Sequence, residues 1–472
     1  MLNLKPVFII LFLITTVTTA SAQETSPLIK GNVEISVKKG TIACDLILSN
    51  LPEIKNYVIR LNSGMNIHYF KDLQRSNSPL YYDMDTKDSV LSDETKAYYL
   101  HENTGNPARY IPKELEVKYL GMYPVIKDST SGYMGQDWRG NIAFNGYSVR
   151  AEGIQGDWYP VLYDKDKRKR YERVRYNITV TCSDCSMLFI NGSSPVRARQ
   201  ARFESNAPYE MSMFCGDYKA VERKGVWLLN AKMAKDDEQK LFNIAGRYQA
   251  YYEKQFKTPY KGNLSFIQTT PVAEPKDWAF SFYSSPTTFN VGAGKYGLQN
   301  LFSDADSARH KQVMAHELAH YYFGTVVKPA DEFGHVIGEG FAEYLSYKLT
   351  QDLEGEQVYQ ALLSNKIKSL KYLRNYKPFA QVKTENDYGN REYYLYYYAP
   401  VLFMAIEKEI GRPAMWQWLN GMIASRSDHA NYDFLLNSFK NSITDKALGD
   451  KIVAKYFTSD EALQNAKKEL GF

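Results

Sequence analysis

The stretch that most constrains this chain is His316-Glu317-Leu318-Ala319-His320. Residues four apart on a helix lie one above the other, so both imidazoles project from one face and can share a cation. The run from Ser303 to Met314 just upstream reads as helical, with Asp304 and Asp306 in its first turn and Gly324 as a stop. Glu317 follows the first imidazole and would lean over the open side of a shared ion. Zinc is the implied metal, because catalytic zinc takes three protein ligands and keeps a fourth position free.

Two imidazoles leave one ligand to find. A third His in the pattern H-E-x-x-H-x-x-G-x-x-H fails, because Phe323 and Val326 hold the positions concerned. Further on stands Gly338-Glu339-Gly340-Phe341-Ala342-Glu343-Tyr344, with 18 residues between His320 and Glu339. Phe341, Tyr344, Leu345 and Leu349 follow a helical apolar stripe, which puts Glu339 in the opening turn of a second helix. A carboxylate presented there completes a site of two His and one Glu.

With those two motifs at that spacing, the chain resembles peptidase family M1, the aminopeptidase N-like gluzincins. The resemblance implies one Zn2+ held by His316, His320 and Glu339, and a peptide or protein substrate. His335 is left as a spare histidine, packed or solvated. Glu343, one turn after Glu339, reads either as a hydrogen-bond acceptor behind a ligand His or as an exposed helix Glu.

Lys5, the apolar run Val7 to Ile14 and Ala20-Ser21-Ala22 before Gln23 read as a secretory signal peptide over residues 1–22. The apolar core is far shorter than the ~20 residues that span a bilayer. The expectation is therefore an exported protein, periplasmic or extracellular, with no stable membrane span. Four Cys in such a chain allow up to two disulfides; for Cys182 and Cys185, a local crosslink or two buried thiols is the preferred reading. A net charge of +5 is too mild to argue for nucleic acid. The mixed-sign run Asp164 to Arg173 reads as a solvated loop. Oligomeric state is not legible.

Residues from about 30 to 215 alternate as strands do: Val33, Ile35 and Val37, then Val174, Tyr176, Ile178, Val180 and Cys182. An antiparallel β-sandwich over 23–219 is the expectation. Past 220 the pattern changes to a long helix, a strand at Leu264 to Gln268, the motif helices, and helices to the end. Together these give a multidomain β plus α+β protein. Its catalytic domain, 220–472, is thermolysin-like with a helical C-terminal lobe. The resemblance implies a short form, without the helical-repeat domain of larger relatives.

The family's mechanism, carried over, makes Glu317 the general base and then acid, with zinc acidifying water and polarising the scissile carbonyl. It also needs a Tyr at the oxyanion. Matching the following helix through to Ile410-Gly411 puts Tyr396 there, while Tyr393 and Tyr397 stay open within the run Tyr393 to Tyr398. The family's G-A-M-E-N strand carries a Glu that grips the substrate's α-amine. Here Ser284, within Ser281 to Pro286 and 32 residues before His316, stands in its place. A neutral Ser cannot pair with an ammonium as a carboxylate does. Unless Glu274 or another acid substitutes, peptides with blocked or extended N-termini become plausible substrates, and exo or endo mode stays open. Two other readings are a silent peptide-binding protein of the same fold and a hydrolase of a non-peptide ester or epoxide.

Overall fold

A computed structural model describes residues 26–472 except 76–77, 87–94, 104–105, 126–141, 154–155, 231–232, 269–281, 285–287, 292–300 and 303–306. The signal segment 1–22, Glu274, Asp304 and Asp306 lie outside the described residues. No described helix is long and apolar enough to cross a membrane.

The N-terminal strands form where side chains alternate with period two. In Thr41–Ser49 the residues Ile42, Cys44, Leu46 and Leu48 face in and their neighbours are half-buried. This strand sits inside a six-stranded sheet ordered Gln200–Tyr209, Val174–Cys182, Leu28–Ser36, Thr41–Ser49, Leu115–Met122, Met65–Asp72. Two further sheets, one of four strands and one of six, complete the β-rich region. The expected sandwich thus has three sheets, and one strand pair, Leu28–Ser36 with Val174–Cys182, runs parallel. A parallel pair needs a long connection, and here most of the domain lies between its two strands. Cys182 and Cys185 are joined in a disulfide, while Cys44 and Cys215 are buried thiols.

The stretch Asp164 to Arg173 departs from expectation. Its tip, residues 166–169, is exposed as a solvated loop would be, but it turns a tight hairpin, Val161–Asp164 with Lys169–Arg170. Two of its cations turn inward: Arg170 donates to the fully buried Asp157 at 2.6 Å, and Arg173 lies 3.5 Å from buried Glu210. Sequence alone could not show that the partners of these charges lie elsewhere in the chain.

From residue 220 a mixed five-stranded sheet runs in the order Ala220–Arg223, Val226–Leu229, Leu264–Gln268, Thr288–Val291, Phe282–Ser284. The inner pairings are parallel and the last strand is an antiparallel edge. The long helix Lys235–Phe256 follows the second strand, and the C-terminal third is helical. Phe341 and Phe403 stack at 4.1 Å between ring centres, with Trp418 edge-on to Phe341. Burying each such ring is worth about 1.5–3 kcal/mol, and stacking adds about 0.5–1.5 kcal/mol. That aromatic seam clamps the helix carrying Glu339 to the helix that follows Tyr396.

Candidate metal centre

The first two imidazoles come from the helix Ser307–Ala319 and the turn that ends it. His316, Glu317, Leu318 and Ala319 are all buried. Small Ala315 and Ala319 let neighbours approach, and the last carbonyls of a helix need outside donors. Tyr252 donates its hydroxyl proton to the Ala315 carbonyl at 2.9 Å, and Tyr260 donates to the Leu318 carbonyl. The tyrosine-rich composition therefore serves partly to anchor this helix end.

The carboxylate comes from a different kind of turn. The second helix starts at Asp331, earlier than its apolar stripe suggested, because Phe333, Val336 and Ile337 extend the buried face. Glu339 lies within a wide π turn, Val336–Gly340, that runs straight into Phe341–Leu353. It is thus mid-helix and not in an opening turn. Such one-residue insertions often mark functional sites. The flanking glycines are needed for close approach: a Cβ on Gly340 would meet Ala399 Cβ at 3.0 Å and Phe403 Cε2 at 3.1 Å.

The donor atoms converge. His316 Nε2 and His320 Nε2 are 3.1 Å apart, and each is 3.3 Å from Glu339 Oε2. Ligand atoms about 2.0–2.1 Å from a tetrahedral zinc stand about 3.3–3.4 Å from one another. The triangle is therefore the size of one face of a zinc tetrahedron, and the residues fit the ion. Its field fits too. Burial opposes a charge on His316, but the Glu339 and Glu343 carboxylates outweigh it and push that imidazole up to about 10. Against the same burial, His320 and His316 hold the Glu339 carboxyl well below its usual range. A pocket that holds protons this tightly is built for positive charge.

Around the triangle, His316 Nδ1 lies 2.8 Å from Glu343 Oε2. Gln312 Nε2 donates to the same oxygen at 3.0 Å, and Lys366 Nζ donates to Oε1 at 2.6 Å. Burial pushes Glu317 up to about 7, with His316 and His320 pulling part of the way back. The Tyr396 ring lies 5.6 Å from the His316 ring. Burial first, then the Glu339 and Glu317 carboxylates, raise its phenol far above the usual range. It therefore keeps its proton and can donate it in a hydrogen bond.

Residues 241–452 match the peptidase family M1 domain. The stretch that holds the triangle thus carries a peptidase family M1 domain. No curated protein matches it by sequence. Among solved structures, the chain is similar to native yeast LTA4 hydrolase, at 15% identity and a TM-score of 0.64, covering 91% of this chain. The chain spans 66% of the length of that relative. It is also similar to an M1 zinc metallopeptidase from Deinococcus radiodurans. That structure is a mutant bound to a Tyr-Ser-Ala substrate, at 12% identity and a TM-score of 0.60, covering 92% of this chain and 93% of that one. At such identities the likeness concerns the fold. The His316, His320 and Glu339 set within that domain fits a single zinc, as in gluzincin M1 peptidases.

The structure separates the tyrosines that the sequence left open. Tyr396 stands against the M1 triangle, whereas Tyr393 and Tyr397 lie on each other with ring centres 5.0 Å apart. Tyr396 also sits in a second π turn, Tyr394–Tyr398. His335 stays out of the triangle; its donor atom lies instead within 4.8 Å of those of Glu332 and Glu385. Ser284 lies on the edge strand, beside the motif helix. The other G-A pair considered for the amine site, Gly292-Ala293, lies outside the described residues. Sequence reasoning passed over Gln312 and Lys366. Gln312 carried a usable signal, since it stands one helical turn before His316.

Proposed function

We propose that this M1 peptidase hydrolyses peptide bonds with Glu317 as general base and acid and Tyr396 as oxyanion donor, without requiring a free α-amine on its substrate. The observation that carries the proposal is the triangle of His316, His320 and Glu339 with Glu317 and Tyr396 packed on it. Bound zinc supplies Lewis-acid polarisation of the scissile carbonyl and a more acidic water. Glu317 is buried beside the triangle, so its carboxylate can take a proton there and return it at the leaving nitrogen. The Tyr396 hydroxyl, protonated at all working pH, can donate to a developing oxyanion from a fixed position. The edge strand Phe282–Ser284 offers backbone groups along which an extended peptide can lie.

Ser284 supports the relaxed demand for an amine, because a hydroxyl gives an ammonium far less than a carboxylate does. A silent binding protein would have no use for the buried Glu317. The deciding assay sets matched peptides with free and acetylated N-termini against the purified protein, with and without chelator. Comparable kcat/KM on both, abolished by chelator, is the expected result. Cleavage confined to free amines would overturn the Ser284 reading. Export belongs to the same proposal and predicts a mature N-terminus at Gln23.

A further inference from the structure

Among the described residues, Lys366 is the buried lysine at this site, and the chemistry above makes no use of it. It lies in the helix Glu356–Ser369 with 5% of its side chain exposed. Its ammonium donates to Glu343 Oε1 at 2.6 Å and to the backbone carbonyl of Tyr396. The rings of Tyr397 and Tyr347 close over it, at 4.3 and 5.0 Å from Nζ. The second oxygen of Glu343 is the one beside His316 Nδ1. One ammonium thus reaches a metal-ligand imidazole through a single carboxylate, and the Tyr396 turn directly.

The Tyr396 carbonyl lacks one of its ordinary backbone donors. In an α-helix it would accept from the N–H of residue 400, and that residue is proline. The chain has therefore removed the ordinary partner of this carbonyl at the turn where the Tyr396 side chain must be aimed. Stability alone does not account for a lysine here. Buried ion pairs can be replaced by apolar residues at little or no cost to folding, and Leu363 and Ile367 already pack apolar groups alongside.

We propose that Lys366 is a positioning residue that locks the His316 imidazole and the Tyr396 hydroxyl into one fixed spacing. The proposal deepens the peptidase reading and rests on it. Lys366 touches neither metal nor substrate. It acts by holding Glu343 against the back of His316 and by pinning the carbonyl of the turn that carries Tyr396. Partners behind a metal-ligand His commonly matter by about 10–100-fold in metal affinity or activity.

The test uses full-length Lys366→Met and Lys366→Met/Glu343→Gln. The double variant leaves no unpaired buried charge, so it remains informative if the single variant fails to fold. Four quantities are read: zinc affinity by chelator competition, kcat and KM on a peptide the wild type cleaves, and the melting temperature. A folded double variant is expected to bind zinc about 10-fold more weakly and to lose about 10–100-fold in kcat, with KM within about threefold of wild type. A folded double variant with wild-type zinc affinity and wild-type kcat would overturn the role of Lys366. A wild type that binds zinc but cleaves no peptide would sink the peptidase reading instead, and the zinc comparison would still decide on Lys366.

Discussion

Two of the places where the described residues bury charge balance it differently. In the N-terminal region two buried acids each face a base of the same chain: Asp157 meets Arg170, and Glu210 meets Arg173. At the metal centre three carboxylates, Glu317, Glu339 and Glu343, stand about the two imidazoles, and the Lys366 ammonium pairs with Glu343. The first pairs are closed, whereas the second cluster, with its imidazoles neutral and its carboxylates ionised as metal binding requires, carries two negative charges in excess. A closed cluster reads as structure; an open one names the ligand that completes it, here a dication. The contrast also explains why the first could not be seen in the sequence and the second could. Any base can close an ion pair at any chain separation, whereas a cation of fixed size demands fixed donors at fixed spacing.

The largest effect expected from breaking the contrast is at Glu317. Glu317→Gln removes the proton acceptor but no metal ligand, so kcat is expected to fall by about 10²–10⁴ while zinc content stays at the wild-type level. Retained turnover would remove Glu317 from the mechanism. On the closed side, Arg170→Met takes the hydrogen-bonded guanidinium from buried Asp157, with Arg60 left nearby, and breaking such a buried pair typically costs about 3–5 kcal/mol of stability. Denaturant melts should show that loss with zinc content unchanged. A loss of zinc would mean that the two clusters are coupled and that the distinction is false.

Tyr396→Phe comes next. Losing one oxyanion donor lowers kcat by about 10²–10³ with KM little changed, whereas Tyr393→Phe should stay close to wild type. The reverse pattern would move the role to the neighbouring ring.

The smallest effect is a pH slope. Burial pushes the Glu210 carboxyl up to about 7, and Arg173 recovers only part of that shift. Its folded-state pKa thus lies above its unfolded value. The unfolded chain gives up the proton first, so stability falls as pH rises toward 7 and levels off above it. Between pH 5 and 8 the wild type should lose about 1–3 kcal/mol that Glu210→Gln does not. Parallel stability curves for the two proteins would contradict this assignment.

What the sequence disclosed follows the same divide. HELAH and GEGFAEY were legible because helical geometry converts spacing directly into convergence. Strands such as Thr41–Ser49 were legible from their alternation. Their partners were not, which is why the parallel pairing of Leu28–Ser36 with Val174–Cys182 went unseen. The π turns hid for another reason: an extra residue in a turn leaves no periodic trace, only hints such as Gly340 and Pro400. Tyr396 was blurred by four identical neighbours within six residues, and only its place beside His316 singles it out. Lys366 gave no signal at all, since a lysine among apolar helix positions ordinarily carries its charge out to water. Its role depends on Glu343 and on a carbonyl 30 residues away in the chain.

The central claim is that a dication completes the triangle of His316, His320 and Glu339. Metal analysis of zinc-equilibrated, desalted wild type beside Glu339→Gln tests it most directly. The account predicts one zinc per chain in the wild type and its loss or severe weakening in the variant. A zinc-free wild type, or a variant that keeps its zinc as tightly as the wild type, would contradict it.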